Sequence, residues 1–597
     1  MCGIAGIFSY SDNAEQVDVE ELLRIRESML SRGPDGSGLW VSENRNIGLA
    51  HRRLSIIDLT KNAAQPMTTQ DGRYHIVFNG EIYNYGELRK RLKLKGYSFR
   101  TNSDTEVLLN LYAEYKMGMV EYLRGMYAFA IWDKKKQGLF LARDPFGIKP
   151  LYYSDNGKSF RFASQVKALL KGGRVDTTAQ PAGYVGFYLW GYVPEPYTLY
   201  KGINSLPAGT TLWIGLTGHH NFKQFFSVSS EIVKAENHRN TAPIIYKDTQ
   251  ELLRNAIKDS VKFHQIADVD VGLFLSAGLD SATLTALAAE SGSNLNTITL
   301  GFDEYRNTDN DETVLAGKVA ERYGTHHQSK FLSKYDFMEG MDDLMLAMDQ
   351  PSIDGINTYF VSKIAKESGM KVALSGVGGD EIFAGYPSFS QIPKLVRAVS
   401  MLPCNAMVGR GLRRIAAPLI KGFTSSKYAS IVEYGGSYSK AYLLRRGLYM
   451  PWELPKVLDR EMVREGLRDL QPLLHLEESV SGVDGEKLKV SIMELTHYMR
   501  NQLLRDADWA GMAHSLEIRT PLVDIELFRS LILLLVTEQH PGKKHMAMTP
   551  RKVLPDEVIN RPKTGFSVPV REWLHSEKNA ENLPGLKGWA KIVMSNY

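Results

Sequence analysis

The chain of 597 residues contains only two cysteines, Cys2 and Cys404. They lie far apart with no CxxC pair, which excludes a disulfide framework and a structural zinc site and fits a reducing cytoplasm. Long apolar runs are equally scarce. The longest strongly apolar stretch, Leu531 to Val536, is far too short to span a bilayer, and the opening MCGIAGIFSYSDNAEQ lacks the basic and apolar regions of a signal peptide. An excess of one charge is missing too: 72 Lys and Arg face 67 Asp and Glu, a net +5, so no nucleic-acid footprint is indicated. A cytoplasmic protein with neither nucleic acid nor membrane as partner is expected, with a homodimer left open. What remains is ordinary globular material, 43% hydrophobic and 23% charged, long enough for two or three domains.

Two kinds of patterning divide the chain. Residues 1–215 alternate short strand patterns (Gly3 to Phe8, Arg73 to Phe78, Tyr127 to Trp132, Leu139 to Arg143) with Gly, Asn and Asp turns, as in an α+β sheet domain. One helical face is expected from Leu22, Leu23, Ile25, Met29 and Leu30. Residues 216–245 read as a linker. From 246 to 597, apolar runs at Val269 to Leu275, Thr297 to Phe302 and Lys371 to Leu374 suit buried parallel strands, and helical patterns dominate from Leu395 onward. Loops with proline, such as RTPLVD (Arg519 to Asp524) and INRPKTGFSVP (Ile559 to Pro569), interrupt those helices.

Cys2 gains chemical meaning from its position. Removal of Met1 would leave the thiol and a free α-amine on one residue, and an amine titrating near ~8 can take a proton from a thiol titrating near ~8.5. A lone cysteine in a first strand is more often a small buried core residue. Four further segments favour the nucleophile: RGPDGSG (Arg32 to Gly38), HRRLSIIDL (His51 to Leu59), NGEIYN (Asn79 to Asn84) and SDTE (Ser103 to Glu106). Arg53 suits an amino-acid carboxylate, and Glu81 and Asp104 suit its ammonium. The Asn79 side-chain amide and the Gly80 N–H suit an oxyanion. Taken singly, an NG pair is usually a hairpin turn and the Asp of SDTE a helix N-cap.

Together with GMYAFAIWD (Gly125 to Asp133) and LARDPFGIKPLYY (Leu141 to Tyr153), these segments resemble the class II glutamine amidotransferases over about the first 170 residues. The resemblance implies an N-terminal-nucleophile (Ntn) hydrolase sandwich that converts glutamine to glutamate and ammonia. Cys2 would be the nucleophile, Asn79 and Gly80 the oxyanion hole, and Arg53, Glu81 and Asp104 the glutamine-binding residues. Gln165, where that family usually has Glu, is a departure that bears on contacts between domains.

In the second half, VGLFLSAGLDS (Val271 to Ser281) reads as strand, tight turn and helix, a geometry that turns backbone N–H groups toward an anion. No GxxxxGK[ST] is present there, so it is not a Walker A loop. SGVGGDEIFAGY (Ser375 to Tyr386) follows another strand and fails GxGxxG at Glu381, which disfavours a dinucleotide fold. Asp280 and Asp380 both fall at carboxyl ends of strands, where two carboxylates suit Mg²⁺ against a pyrophosphate. His326 and His327 follow a turn and suit a plain solvated pair better than a metal site.

These two loops, with TLGFDE (Thr299 to Glu304), DETVLAGKVAERYGTHH (Asp311 to His327), DQPSID (Asp349 to Asp354), DWAGMAHSLEIRTPLVD (Asp508 to Asp524) and RPKTGF (Arg561 to Phe566), resemble the ATP-pyrophosphatase domain of asparagine synthetases. The implied fold is an α/β parallel sheet with a helical C-terminal part. The implied reaction is adenylation of an acceptor carboxylate by ATP, then amide formation with ammonia. ATP would be held by Ser276, Gly278, Asp280, Ser281, Leu300, Ser375 and Gly376, Mg²⁺ by Asp280 and Asp380, and Lys543, favoured over Lys544, would neutralise phosphate charge. Val377 stands where the family usually carries an acidic residue, which leaves the acceptor between aspartate and another carboxylate such as a sugar acid. A non-catalytic scaffold is the contrasting reading, and the intact Cys2, Asp280 and Asp380 speak against it.

Overall fold

The computed structural model describes residues 2–241, 249–292, 294–402, 406–420, 425–537, 540–562, 569, 573 and 585–597. Cys404 and most of the RPKTGF segment, residues 563–566, lie outside the described residues.

The first half stacks two antiparallel six-stranded sheets. In one, Gly3–Ser9 lies between Ile47–Arg53 and Ser159–Ala163; in the other, Gly125–Asp133 lies between Tyr74–Ile82 and Gly138–Arg143. Side chains that alternate along these strands fill both faces, because each sheet is covered twice. Ile4, Phe8 and Leu49 meet Val77, Ala130 and Leu141 between the sheets. Ile7 and Ala50 turn outward onto the helices Val19–Glu27 and Val166–Gly172, and Ile76 and Phe129 onto Asp104–Tyr115. The first of these helices keeps Leu22 and Ile25 buried and ends before Met29, so Leu30, expected on its apolar face, is exposed.

The segment read as a linker, 216–245, is structured through residue 241. His220–Gln224 is an edge strand paired with Thr210–Ile214, and Val228–Thr241 is a helix whose Ile232 and Ala235 enter the core of the second half. The sequence HNFKQ hides that strand because an exposed edge needs no apolar alternation.

The second half is built on a five-stranded, all-parallel sheet in the order His326–Leu332, Asn296–Phe302, Val271–Phe274, Val372–Leu374, Glu517–Arg519. The strand order reverses between Val271–Phe274 and Val372–Leu374, which opens a crevice at their carboxyl ends. Two of the five strands carry no apolar signal. His326–Leu332 is a polar edge whose adjacent histidines face opposite sides, and Glu517–Arg519 buries two charged residues out of three. The helices Glu486–Met493 and Arg505–Ala513 join through Glu494–Leu504, where hydrogen bonding widens to the π pattern.

Candidate active sites

Cys2 opens the central strand of the first sheet and is buried, and that burial pushes its thiol pKa up. Its backbone nitrogen donates to Asn79 Oδ1 at 2.9 Å across the gap between the sheets. The other end of the same amide, Asn79 Nδ2, is buried without a hydrogen-bond partner among the described residues. Gly80 has φ +152° and approaches its neighbour strand so closely that a Cβ would stand 2.1 Å from Met126 O, so only glycine fits. An unpaired amide donor and a glycine backbone thus adjoin the residue that carries the thiol.

Arg53 is half-buried at the end of its strand, its guanidinium held by the carbonyls of Thr60 (2.8 Å), Ile57 (3.4 Å) and Asp58. Asp104 accepts from the Ile82 N–H at 3.0 Å, while Ser103 caps the helix, so the N-cap of SDTE is the serine and not the aspartate. Burial pushes Asp104 up to about 6. Burial, then Glu517 and Asp104, push Glu81 well above the usual carboxylate range, with Arg519 opposing from 3.8 Å. Two buried carboxylates facing this region are held at a cost that an incoming ammonium would relieve.

Several residues act here that sequence reasoning passed over. Arg32, fully buried, donates from Nε to the Cys2 carbonyl at 3.1 Å and forms a two-pronged pair with Asp508 of the second half at 2.7 and 3.2 Å. Lys149 Nζ lies 3.9 Å from the same Asp508. Arg519 bridges Glu517 and Glu81, and Arg124 joins Asp524 at 2.9 Å. The helix after Gln165 is capped across the interface by Asp349, which accepts from the Val166 and Lys167 N–H groups at 3.0 Å each. Most of these residues stand inside motifs quoted above, but their pairing spans hundreds of positions and leaves no local signal.

In the second half, a cavity of about 300 Å³ occupies the crevice at the strand ends. Ser276, Gly278, Asp280, Ser281, Leu300, Ser375, Gly376 and Asp380 all line it. The turn before the helix Leu279–Ala289 is tied by Ser281 Oγ, which accepts from the Ser276 N–H at 3.1 Å and sits 2.9 Å from Ser276 Oγ. The helix starts at Leu279, two residues earlier than the start expected at Ser281. A Cβ on Gly376 would lie 2.8 Å from Asp280 Cβ, so glycine lets the two loops close together.

Lys543 lies between the two aspartates: its Nζ contacts Asp280 and stands 2.9 Å from Asp380, while Lys544 is exposed. Against the cost of burial, Asp280 and Asp380 keep the Lys543 ammonium charged and raise its pKa. The carboxylates therefore already hold a cation, and their hard oxygen donors suit a divalent one. Beside them, Val377 lines the cavity together with Asp354, Glu381 and Asp506. Burial, with Asp380 and Asp354 respectively adding to it, pushes Glu381 and Asp506 up to about 7. Tyr386 OH donates to Glu381 at 2.8 Å.

Similarity to known proteins follows the same division. Residues 1–226 match the glutamine amidotransferase domain family and residues 252–584 the asparagine synthase family. The chain is 34% identical to asparagine synthetase [glutamine-hydrolyzing] 1 of Bacillus subtilis, over 97% of this chain and 89% of the relative. It is 31% identical to a putative asparagine synthetase [glutamine-hydrolyzing] of Mycobacterium bovis, over 96% and 89%. Among solved structures, glutamine phosphoribosylpyrophosphate amidotransferase from B. subtilis shares 15% identity over 57% of this chain and 92% of that one, with a TM-score of 0.31. No helix among the described residues is long and apolar enough to cross a membrane. A two-sheet sandwich carrying Cys2, joined to a parallel-sheet domain carrying Asp280 and Asp380 and matched along nearly its whole length, makes this chain a member of the asparagine synthase family.

Proposed function

We propose that the protein hydrolyses glutamine at Cys2 and uses the ammonia to amidate a carboxylate that ATP has activated in the second cavity. In the first step the Cys2 thiol gives its proton to the α-amine exposed by loss of Met1, and the sulfur attacks the glutamine amide carbon. The oxyanion is received by Asn79 Nδ2 and the Gly80 N–H, and the amine returns the proton to the departing ammonia. Water then releases glutamate from the thioester. Arg53 takes the substrate carboxylate, and Glu81 and Asp104 take its ammonium, which offsets the cost of burying them.

In the second cavity the acceptor carboxylate attacks the α-phosphorus of ATP, pyrophosphate leaves, and ammonia displaces AMP from the acyl-adenylate. Ser276, Gly278 and Ser281 cradle pyrophosphate through the turn before the helix, and Leu300, Ser375 and Gly376 border the adenosine. Asp280 and Asp380 would hold Mg²⁺, which supplies charge neutralisation on the phosphates. Lys543 then turns from the aspartates toward the phosphate oxygens. Ammonia must reach this cavity without being protonated, so a dry route between the halves belongs to the proposal.

The observation that carries the reading is the pair of sites in one chain: a thiol beside an unpaired buried amide donor, and two aspartates sharing a cation at the sheet crevice. Aspartate is the first candidate acceptor. A second reading, a different carboxylate such as a sugar acid, is favoured by Val377, whose apolar side chain lines the cavity where the family usually has an acid. The test is pyrophosphate release in the presence of ATP and glutamine with a panel of carboxylates. Release with aspartate supports the first reading and release only with another carboxylate the second; no release with any of them refutes the synthetase activity.

A further inference from the structure

The π segment Glu494–Leu504 and the residue that follows it face the first half of the chain. Arg500 Nε donates to the Phe146 carbonyl at 3.3 Å, Asn501 Oδ1 accepts from the Glu195 N–H at 2.9 Å, and Arg505 Nη1 donates to the Val193 carbonyl at 2.7 Å. On an α-helix, residues five apart point about 140° away from each other. The i→i+5 hydrogen bonding of this segment takes up much of that angle, and Arg500 and Arg505 border the same small cavity between the halves. Its volume is about 10 Å³, room for one water or one monatomic ion and for nothing larger. Arg143 and Glu195 border it from the first half, and Gln350 from the second.

The charges there do not balance. Glu195 pairs with Arg143, whose remaining N–H groups go to Ser205 Oγ at 2.9 Å and to the carbonyls of Lys149 (2.7 Å), Leu206 (2.7 Å) and Gly147 (2.9 Å). Asp144, the other acid acting on Arg500, accepts from the N–H groups of Phe146 at 3.1 Å and of Ile148 and Lys149 at 2.9 Å. Arg500 and Arg505 each make a single side-chain hydrogen bond and no ion pair among the described residues. Two nitrogens of Arg505, Nε and Nη2, are buried without a partner there. Burial, with Arg143 adding to it, pushes the Arg500 pKa down against Glu195 and Asp144. Asp506, next to Arg505, is pushed up to about 7 by burial and supplies no full counter-charge at neutral pH.

Two guanidinium groups gathered on one side of a buried interface call for an anion. A bridging water would meet the open N–H groups but leave both charges uncompensated, and phosphate, sulfate or a carboxylate exceeds the volume. We propose that this cavity binds one monatomic anion, chloride, between Arg500 and Arg505, and that the ion fastens the π segment to the first half. Gln350 adapts to the same ligand. Its Oε1 is buried without a partner among the described residues, while its Nε2 donates to Tyr152 OH at 3.1 Å. Exchanging the two ends of that amide keeps the Tyr152 contact, with the hydroxyl donating, and turns the unpartnered acceptor into a third donor. The site stands apart from the chemistry at Cys2 and from the choice of acceptor.

Crystals of the full-length protein grown with bromide in place of chloride test this directly, because anomalous scattering should show one bromide beside Arg500 and Arg505. In solution, with gluconate balancing the ionic strength, the melting temperature should rise by about 1–2 °C for each tenfold increase in chloride above its Kd. Arg500→Met and Arg505→Met should each abolish that slope, and a cooperative melt shows that a variant is folded. Density in the cavity without an anomalous signal would mean a water and overturn the proposal. So would a wild-type slope that both variants retain. A bromide peak with no chloride slope in the wild-type protein would mean an adventitious ion only, and would overturn it as well.

Discussion

The two sites solve the same problem, holding charge away from water, in opposite ways. Around Cys2 the polar groups sit on a paired strand (Asn79, Glu81) and at a helix start (Asp104) and are buried before any ligand arrives, so Asp104 and Glu81 carry raised pKa values and Asn79 keeps an amide donor without a partner among the described residues. Around Asp280 the groups sit in the first turns of helices beyond the ends of parallel strands, border a cavity of about 300 Å³, and already neutralise one another through Lys543. The first region therefore keeps its charges uncompensated, whereas on the proposed reading the second exchanges an internal ion pair for its ligands.

The comparison breaks most cleanly at Cys2. Cys2→Ala should lower glutamine-dependent product formation by roughly 10³-fold or more yet leave synthesis from ammonium salts intact. Retention of glutamine-dependent turnover would remove Cys2 as nucleophile. Next in size, Asp280→Asn or Asp380→Asn should each lower pyrophosphate release by roughly 10²-fold or more while glutaminase activity stays within about twofold. Loss of both activities together would mean that the sites are not chemically separate.

The join between the sites comes third. Arg32→Ala strands Asp508 without its guanidinium in a fully buried place and should cost about 3–5 kcal/mol in chemical denaturation. Arg32→Ala with Asp508→Ala should cost clearly less than the sum of the two single variants. An additive double variant would show that the pair is not coupled.

The electrostatic contrast can be sharpened by pH. Because burial raises the folded pKa of Asp104 to about 6, its contribution to stability is fully present below its unfolded value and is lost as pH rises through about 6. A bound ammonium reverses the preference by favouring the charged carboxylate. Glutamine binding to the Cys2→Ala variant, measured by calorimetry, should therefore weaken by up to about tenfold per unit as pH falls below 6, with Glu81 acting in the same direction. Asp104→Asn should flatten that dependence, and an unchanged slope would separate Asp104 from the ammonium. The smallest effect is expected at Val377: Val377→Glu should raise kcat/KM for aspartate a few-fold if aspartate is the acceptor and the missing acid limits it. Efficient asparagine formation by the unaltered protein, with no gain in the variant, would show that Asp354, Glu381 or Asp506 already supplies that charge.

Much was legible in the primary structure because several signals are local. Alternation of apolar residues marks Tyr74–Ile82 and Gly125–Asp133 as strands, and small residues after an apolar run mark the Ser276–Ser281 turn, since both follow from the reach of neighbouring side chains. The resemblance of short motifs assigned chemistry to Cys2, Asp280 and Asp380 before any contact was known. Elements without a local signal were lost: the exposed edge strand His220–Gln224, the polar edge His326–Leu332 and the buried, charged edge strand Glu517–Arg519.

What the chain determined by itself was its division into a sheet-rich and a helix-rich half and the candidates for the reactive groups, because periodicity and residue chemistry act over a few positions. The tertiary structure alone decided that Lys543 and not Lys544 meets the two aspartates, that Asn79 spends one end of its amide on Cys2 and keeps the other unpaired, and that Arg32 ties the Cys2 carbonyl to Asp508. Those are choices among groups distant in sequence, and only packing that excludes water makes a buried charge or donor select one partner over another.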